Sequence, residues 1–109
     1  MKRVVAAPFP ADPWVADAAK LGAMVRAART ATGMTQADAA ISLGVSKDTL
    51  ADLETAKSSV GLVTALKIAR ELGVAVFGVP ASDRELVRRA IAGVRADSAL
   101  GDRPGSGEA

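Results

Sequence analysis

The stretch Gln36-Ala37-Asp38-Ala39-Ala40-Ile41-Ser42-Leu43-Gly44-Val45-Ser46-Lys47-Asp48-Thr49-Leu50-Ala51-Asp52-Leu53 decides how this chain of 109 residues folds. It reads as two short helices meeting at a glycine. Thr35 is the N-cap of the first, because a threonine oxygen can accept one of the backbone N–H groups left unpaired in a first helical turn. Asp38 stands three residues on, where the second member of a capping box belongs. Ser46 caps the second helix in the same way. Gly44 lets the backbone take the positive φ that a sharp exit from a helix needs. Ala40 is small where the second helix crosses the first, and Leu43, Val45, Leu50 and Leu53 fill the angle between them. The result is a tight helical corner.

Working outward, a longer helix is expected upstream. Asp12-Pro13 offers a carboxylate N-cap followed by proline at the first helical position, so the helix is placed from Pro13 to about Thr32, with Gly22 marking a place where it can break. Leu21, Val25 and Ala28 form its apolar face, and Arg26 and Arg29 fall together on another. Gly33 closes it. Before it, residues 1–11 with their closely spaced prolines read as a flexible arm. Downstream, Leu62 to Leu72 predicts a fourth helix with Leu62, Leu66, Ala69 and Leu72 as its inward stripe and Ala65 and Ile68 beside it. Val74-Ala75-Val76-Phe77-Gly78-Val79-Pro80 is β-branched and uncharged, and reads as a strand rather than a short helix or an irregular arm. Ser82, with Glu85 three residues on, starts a fifth helix to about Ala96. Gly101, Pro104, Gly105 and Gly107 mark a disordered tail. The chain thus divides into an arm at 1–11, a helical domain at 12–73, a strand and helix at 74–96 and a tail at 97–109.

Composition narrows the chemistry. Alanine accounts for 24 residues, and the aromatics are Phe9, Trp14 and Phe77 alone. Such a core is built by close helix packing rather than by rings. There is no cysteine and no histidine, so thiolate metal sites, disulfides, cysteine nucleophiles and imidazole bases are excluded. No nucleophile–base pair stands out, and the expectation is a protein without enzymatic activity, metal or cofactor. No apolar run approaches a membrane span, and the charged start is too short for a signal-peptide core. The expectation is a soluble cytoplasmic protein without a membrane partner.

The corner has the spacing of a helix-turn-helix, and the surrounding landmarks go further. Arg26-Ala27-Ala28-Arg29, Gly33-Met34-Thr35-Gln36, Ala40, Leu43-Gly44-Val45-Ser46, Thr49-Leu50, Leu53-Glu54, Lys57 and Leu62 to Ala69 with Leu72-Gly73-Val74 together resemble the Cro/CI-type, lambda-repressor-like or XRE family. The resemblance covers roughly Leu21 to Leu72. It implies an all-α bundle of about five helices. The apolar segment after the fourth helix is most similar to the HipB-type antitoxin branch, in which a C-terminal strand from each subunit pairs across a homodimer. Val74, Val76, Phe77 and Val79 are then the dimerisation residues, and pairing also answers the hazard of an unpartnered apolar edge. Two departures stand out. Ala39 replaces a larger aliphatic, which loosens the core. Ala56 replaces a glycine, which either extends the second short helix or strains its end.

The same resemblance places that second helix in the DNA major groove. Lys47, Asp48 and Asp52 match base-reading positions; lysine can donate to guanine and aspartate can accept from cytosine N4. Thr35, Gln36, Ser46, Thr49 and Lys57 match positions that meet the phosphate backbone, with Gln36 also bracing the reading helix. Plainer readings stand beside these. Asp48 serves as a first-turn acid, Asp52 as a solvated one, Lys47 as a surface lysine, and Glu54 as a structural tie between helix ends. Residues 20–73 hold seven basic and five acidic groups, so one copy has a weak positive field, and a dimer doubles it. The expected partners are double-stranded DNA and a second copy. The expected function is a homodimeric repressor reading a palindromic operator, associated with the nucleoid when bound. Two alternatives remain: an antitoxin that restrains a HipA-like kinase toxin and autoregulates its operon, or a protein-interaction module that has lost DNA binding.

Overall fold

A computed structural model describes residues 3–101, and side chains as far as residue 97. Five α-helices follow in order: α1 Ala18–Ala31, α2 Gln36–Leu43, α3 Lys47–Thr55, α4 Leu62–Glu71 and α5 Arg84–Gly101, the last preceded by a 3₁₀ turn at Ala81–Asp83. The described chain divides into two compact units, residues 3–10 with 15–77 and residues 11–14 with 78–101. No strand occurs among the described residues.

In the first unit, α1 packs most extensively on α3, and α2 closes the angle. Val25, Leu50 and Ile68 are the largest fully buried side chains, each stabilising the fold by about 1.5–3 kcal/mol through burial. Around them lie Leu21, Met24, Leu43, Leu53 and Val74 with buried alanines at 39, 40, 65 and 69. No aromatic ring enters this core. Ala39 is fully enclosed, so the packing has closed around the smaller residue.

The start of α1 differs from the sequence expectation. The Asp12 carboxylate accepts Trp14 N–H at 2.9 Å, a local turn that does not go on into helix. Asp17 is the N-cap instead, accepting Lys20 N–H at 2.9 Å. The preceding arm has no regular structure but is tied to α1, because Ala7 N–H donates to Thr30 Oγ1 at 2.8 Å.

The inward stripe of α4 also differs. Ala65, Ile68 and Ala69 are buried, whereas Leu62 is 71% and Leu66 37% exposed. Both stripes have helical spacing. The buried row sets Ile68 between two alanines and shares Ala69 with the expected stripe, and Leu72, the last residue of that stripe, is half-buried against the core. Val74 N–H returns to the Ala69 carbonyl at 2.8 Å, and its side chain fills the core of its own unit rather than an outer surface. Beyond it the chain runs to Pro80 without regular structure, and Val76, Phe77 and Val79 are exposed.

In the second unit, Ser82 lies within the 3₁₀ turn, two residues before the first residue of α5 rather than at its N-cap. Glu85 pairs instead with Arg88 and with Arg89, the latter at 3.1 Å. These two guanidiniums hold its carboxyl down at about 2. Arg84 stacks over the Trp14 ring, 3.7 Å from its centre. Helix α5 continues past Ala96 to Gly101, and the rest of the expected tail lies outside the described residues.

Candidate nucleic-acid interface

Short-range hydrogen bonds build the turn between α2 and α3. Thr35 Oγ1 accepts Asp38 N–H at 3.1 Å, and Ser46 Oγ accepts Thr49 N–H at 3.0 Å. Between these caps, Gly44 has φ 71°. The N–H groups of Gly44 and Val45 return to the carbonyls of Ile41 and Ala40 at 3.2 and 3.0 Å, which pairs two of the carbonyls that the end of α2 leaves free. From α4, Lys67 Nζ donates to the Leu43 carbonyl at 2.8 Å, setting a cation at the negative end of α2.

A buried ion pair orients α3. Arg29 donates through Nε to Glu54 Oε2 at 2.6 Å and through a terminal nitrogen to Glu54 Oε1 at 2.9 Å. A third donor goes to the Met34 carbonyl at 2.8 Å. Gln36 Nε2 donates to Glu54 Oε1 at 3.2 Å, so the first residue of α2 braces the last turn of α3. Whereas Arg26, one turn before it, is exposed, Arg29 is buried. It continues the Leu21–Val25 stripe, and Glu54 continues the stripe of Leu50. A charge standing at an apolar-stripe position on each of two helices is the signal in the sequence that would have paired them.

Gly22 is the second positioning residue, and it does not break α1. A Cβ there would lie 2.3 Å from the Leu53 carbonyl oxygen and 2.7 Å from that of Glu54. The backbones of α1 and α3 meet at this point, and only hydrogen fits between them.

Helix α3 ends at Thr55 rather than extending. Ala56 follows with φ 56°, the only non-glycine residue at positive φ among the described residues. A Cβ in this region costs about 1–2 kcal/mol, part of which glycine returns through its freer unfolded chain. Ala56→Gly is expected to stabilise the protein by about 0.5–1 kcal/mol, raising the melting temperature by roughly 2–8 °C. A thermal melt followed by far-ultraviolet circular dichroism checks this, and a lower melting temperature contradicts the strain.

With α3 held in this way, Leu50 and Leu53 face the core, and Lys47 and Asp48 are exposed. Asp52 and Thr49 are half-buried at the margin, and Ser46 and Lys57 are exposed at the two ends of the helix. Two open troughs flank it. One of 420 Å³ is lined by Arg3, Val4, Val5, Arg26, Arg29, Thr30, Thr35, Gln36, Ala37 and Lys47. The other, of 390 Å³, is lined among others by Ser46, Thr49, Asp52, Ser59 and Thr64. Lys47 thus faces basic company and Asp52 uncharged polar company. No local pattern announces Arg3, whose place beside α1 follows from the tertiary hydrogen bond between Ala7 and Thr30. Among the described residues no helix is long and apolar enough to cross a membrane.

No curated protein and no solved structure matches the chain. A family model described as helix-turn-helix matches residues 25–78. Its span takes in α2, the Gly44 turn and α3.

Proposed function

We propose that the protein is a sequence-specific DNA-binding regulator of the Cro/CI type, working as a homodimeric repressor on a two-fold symmetric operator. The observation that carries this reading is α3 itself. It is capped, braced from behind by Arg29, Glu54 and Gly22, and presents Lys47 and Asp48 outward. Lysine donates to guanine O6 and N7, and aspartate accepts from cytosine N4, so the two side chains suit adjacent positions of a G·C-containing half-site. The N-termini of α2 and α3 add backbone N–H groups and positive dipole ends for phosphate. The exposed Val76, Phe77 and Val79 offer apolar surface for a second copy. Two reading helices in a dimer then address half-sites about 34 Å apart.

Selection of duplexes from a random library, followed by binding measurements on the selected site, tests the reading. A palindromic consensus is expected, with Lys47→Ala weakening binding at least about 10-fold through loss of one base contact. Recovery of no duplex even at low salt, or equal binding by wild type and Lys47→Ala, overturns it. In the first case the acidic outer side of α3 belongs to a protein partner instead.

A further inference from the structure

We propose that the trough between the N-terminal arm and α1 is a seat for nucleic-acid phosphate, in which Arg3 and Arg26 extend the contact surface beyond α3. This rests on the DNA-binding reading and adds to it a sequence-independent contact made by residues outside the helix-turn-helix corner.

Four observations carry it. The trough gathers Arg3, Arg26 and Lys47, and no carboxylate lines it. The other guanidinium there, Arg29, is neutralised by Glu54, so three uncompensated charges remain. Among the described residues, none of these three forms an ion pair. The arm is held in place, because Thr30 Oγ1 accepts Ala7 N–H at 2.8 Å while donating to the Arg26 carbonyl at 2.9 Å. Arg3 and Arg26 therefore approach the trough from different segments joined at one hydroxyl.

The chain's formal charge is only +2, yet three unpaired cations converge here. A concave surface of one sign, walled in part by Val4 and Val5, concentrates the field for an anion. The trough also opens where α2 and α3 begin, at Gln36 and Lys47, so the dipole of each helix adds to the field. Continuity with Lys47 selects the anion's source. A phosphate seated here lies next to the side chain proposed to read a base, as the backbone of the same duplex must. An isolated phosphate gains nothing from that adjacency.

The salt dependence of binding by the full chain is the test. Affinity for the selected duplex is measured between about 50 and 200 mM salt, where each neutralised phosphate contributes about 0.9 to the slope of log K against log salt. Arg3→Ala and Arg26→Ala are each expected to flatten the slope by about 0.9 and to weaken binding roughly 5–10-fold near 0.1 M salt. The ratio of specific to scrambled-site affinity stays unchanged. Arg26→Lys keeps the slope, since a point charge suffices. Both arginines are exposed and unpaired, so unchanged melting temperatures accompany the alanine variants. If wild type binds its site but the double variant keeps the full slope, the seat is refuted while the function stands. If inorganic phosphate saturates shifts of the Arg3 and Arg26 amides and the duplex slope is indifferent to both substitutions, the trough takes a free anion and the proposal is likewise refuted. If wild type binds no duplex, the functional reading fails and this inference fails with it.

Discussion

Gly22→Ala is expected to destabilise the first unit by at least about 3 kcal/mol, at or beyond the upper end of ordinary overpacking costs. The sign is informative, because helix propensity alone predicts the opposite. Alanine in an exposed helix interior gains roughly 0.8–1 kcal/mol over glycine. At Gly22 the new methyl meets the carbonyl oxygens of Leu53 and Glu54 at 2.3 and 2.7 Å. These are backbone atoms of a neighbouring helix, so no rotamer change relieves the clash. Helix α3 must move away, and its outward presentation is lost with the stability. Gly93, in α5, provides the contrast: nothing lies within 4 Å of a Cβ built there, and Gly93→Ala is expected to be neutral or stabilising. Urea titrations of the two variants, followed by helical ellipticity, check the pair. A Gly22→Ala protein as stable as wild type contradicts the backbone contact between α1 and α3.

Glu54→Gln is expected to cost about 3–5 kcal/mol, the range for breaking one side of a buried ion pair. The substitution keeps shape and removes charge. Arg29 then sits buried with one carboxylate acceptor replaced by an amide donor, and Gln36 loses part of its partner. The pair itself need not be strongly stabilising, because both ions lose their hydration on burial. Exchanging both residues, as Arg29→Met with Glu54→Leu, is therefore expected to recover most of the loss. Denaturation midpoints of the two single variants and the double variant form the test. Additive losses in the double variant contradict the account. In the recovered protein, DNA binding separates the roles of the pair. Stability without binding means that the ions set the angle of α3, a task apolar replacements do not reproduce.

The corner at α2 and α3 was legible in the sequence because its determinants are local. Thr35, Ser46 and Gly44 act on backbone groups within a few residues of themselves, and each does what its side chain, or the lack of one, permits. Features decided by tertiary packing were not. Asp12-Pro13 and Asp17 both offer cap chemistry, and local pattern did not choose between them. On α4 two neighbouring stripes share Ala69 and have the same periodicity, and tertiary packing buries Ala65 and Ile68 while leaving Leu62 and Leu66 exposed. The β-branched run after Gly73 has strand propensity, but propensity makes no ladder, and Val74 is drawn into the core. Gly22 looked like a weak point in a helix because the backbone that passes it arrives from thirty residues downstream. For the candidate site, motif position puts forward Lys47, Asp48, Asp52, Gln36 and Thr49 as candidates. The bracing of α3 by Arg29 and the gathering of Arg3 beside Arg26 depend on long-range contacts.

The placement of Trp14 has a practical consequence for spectroscopy. The single indole lies in the second unit, stacked on Arg84 and 46% exposed, and the chain contains no tyrosine. Intrinsic emission therefore reports on the surroundings of Trp14, since the alanine-rich core holds no aromatic ring of its own. Emission and ellipticity coincide during denaturation only if the two units unfold in one cooperative step, so this chain carries a built-in reporter of whether its parts come undone together.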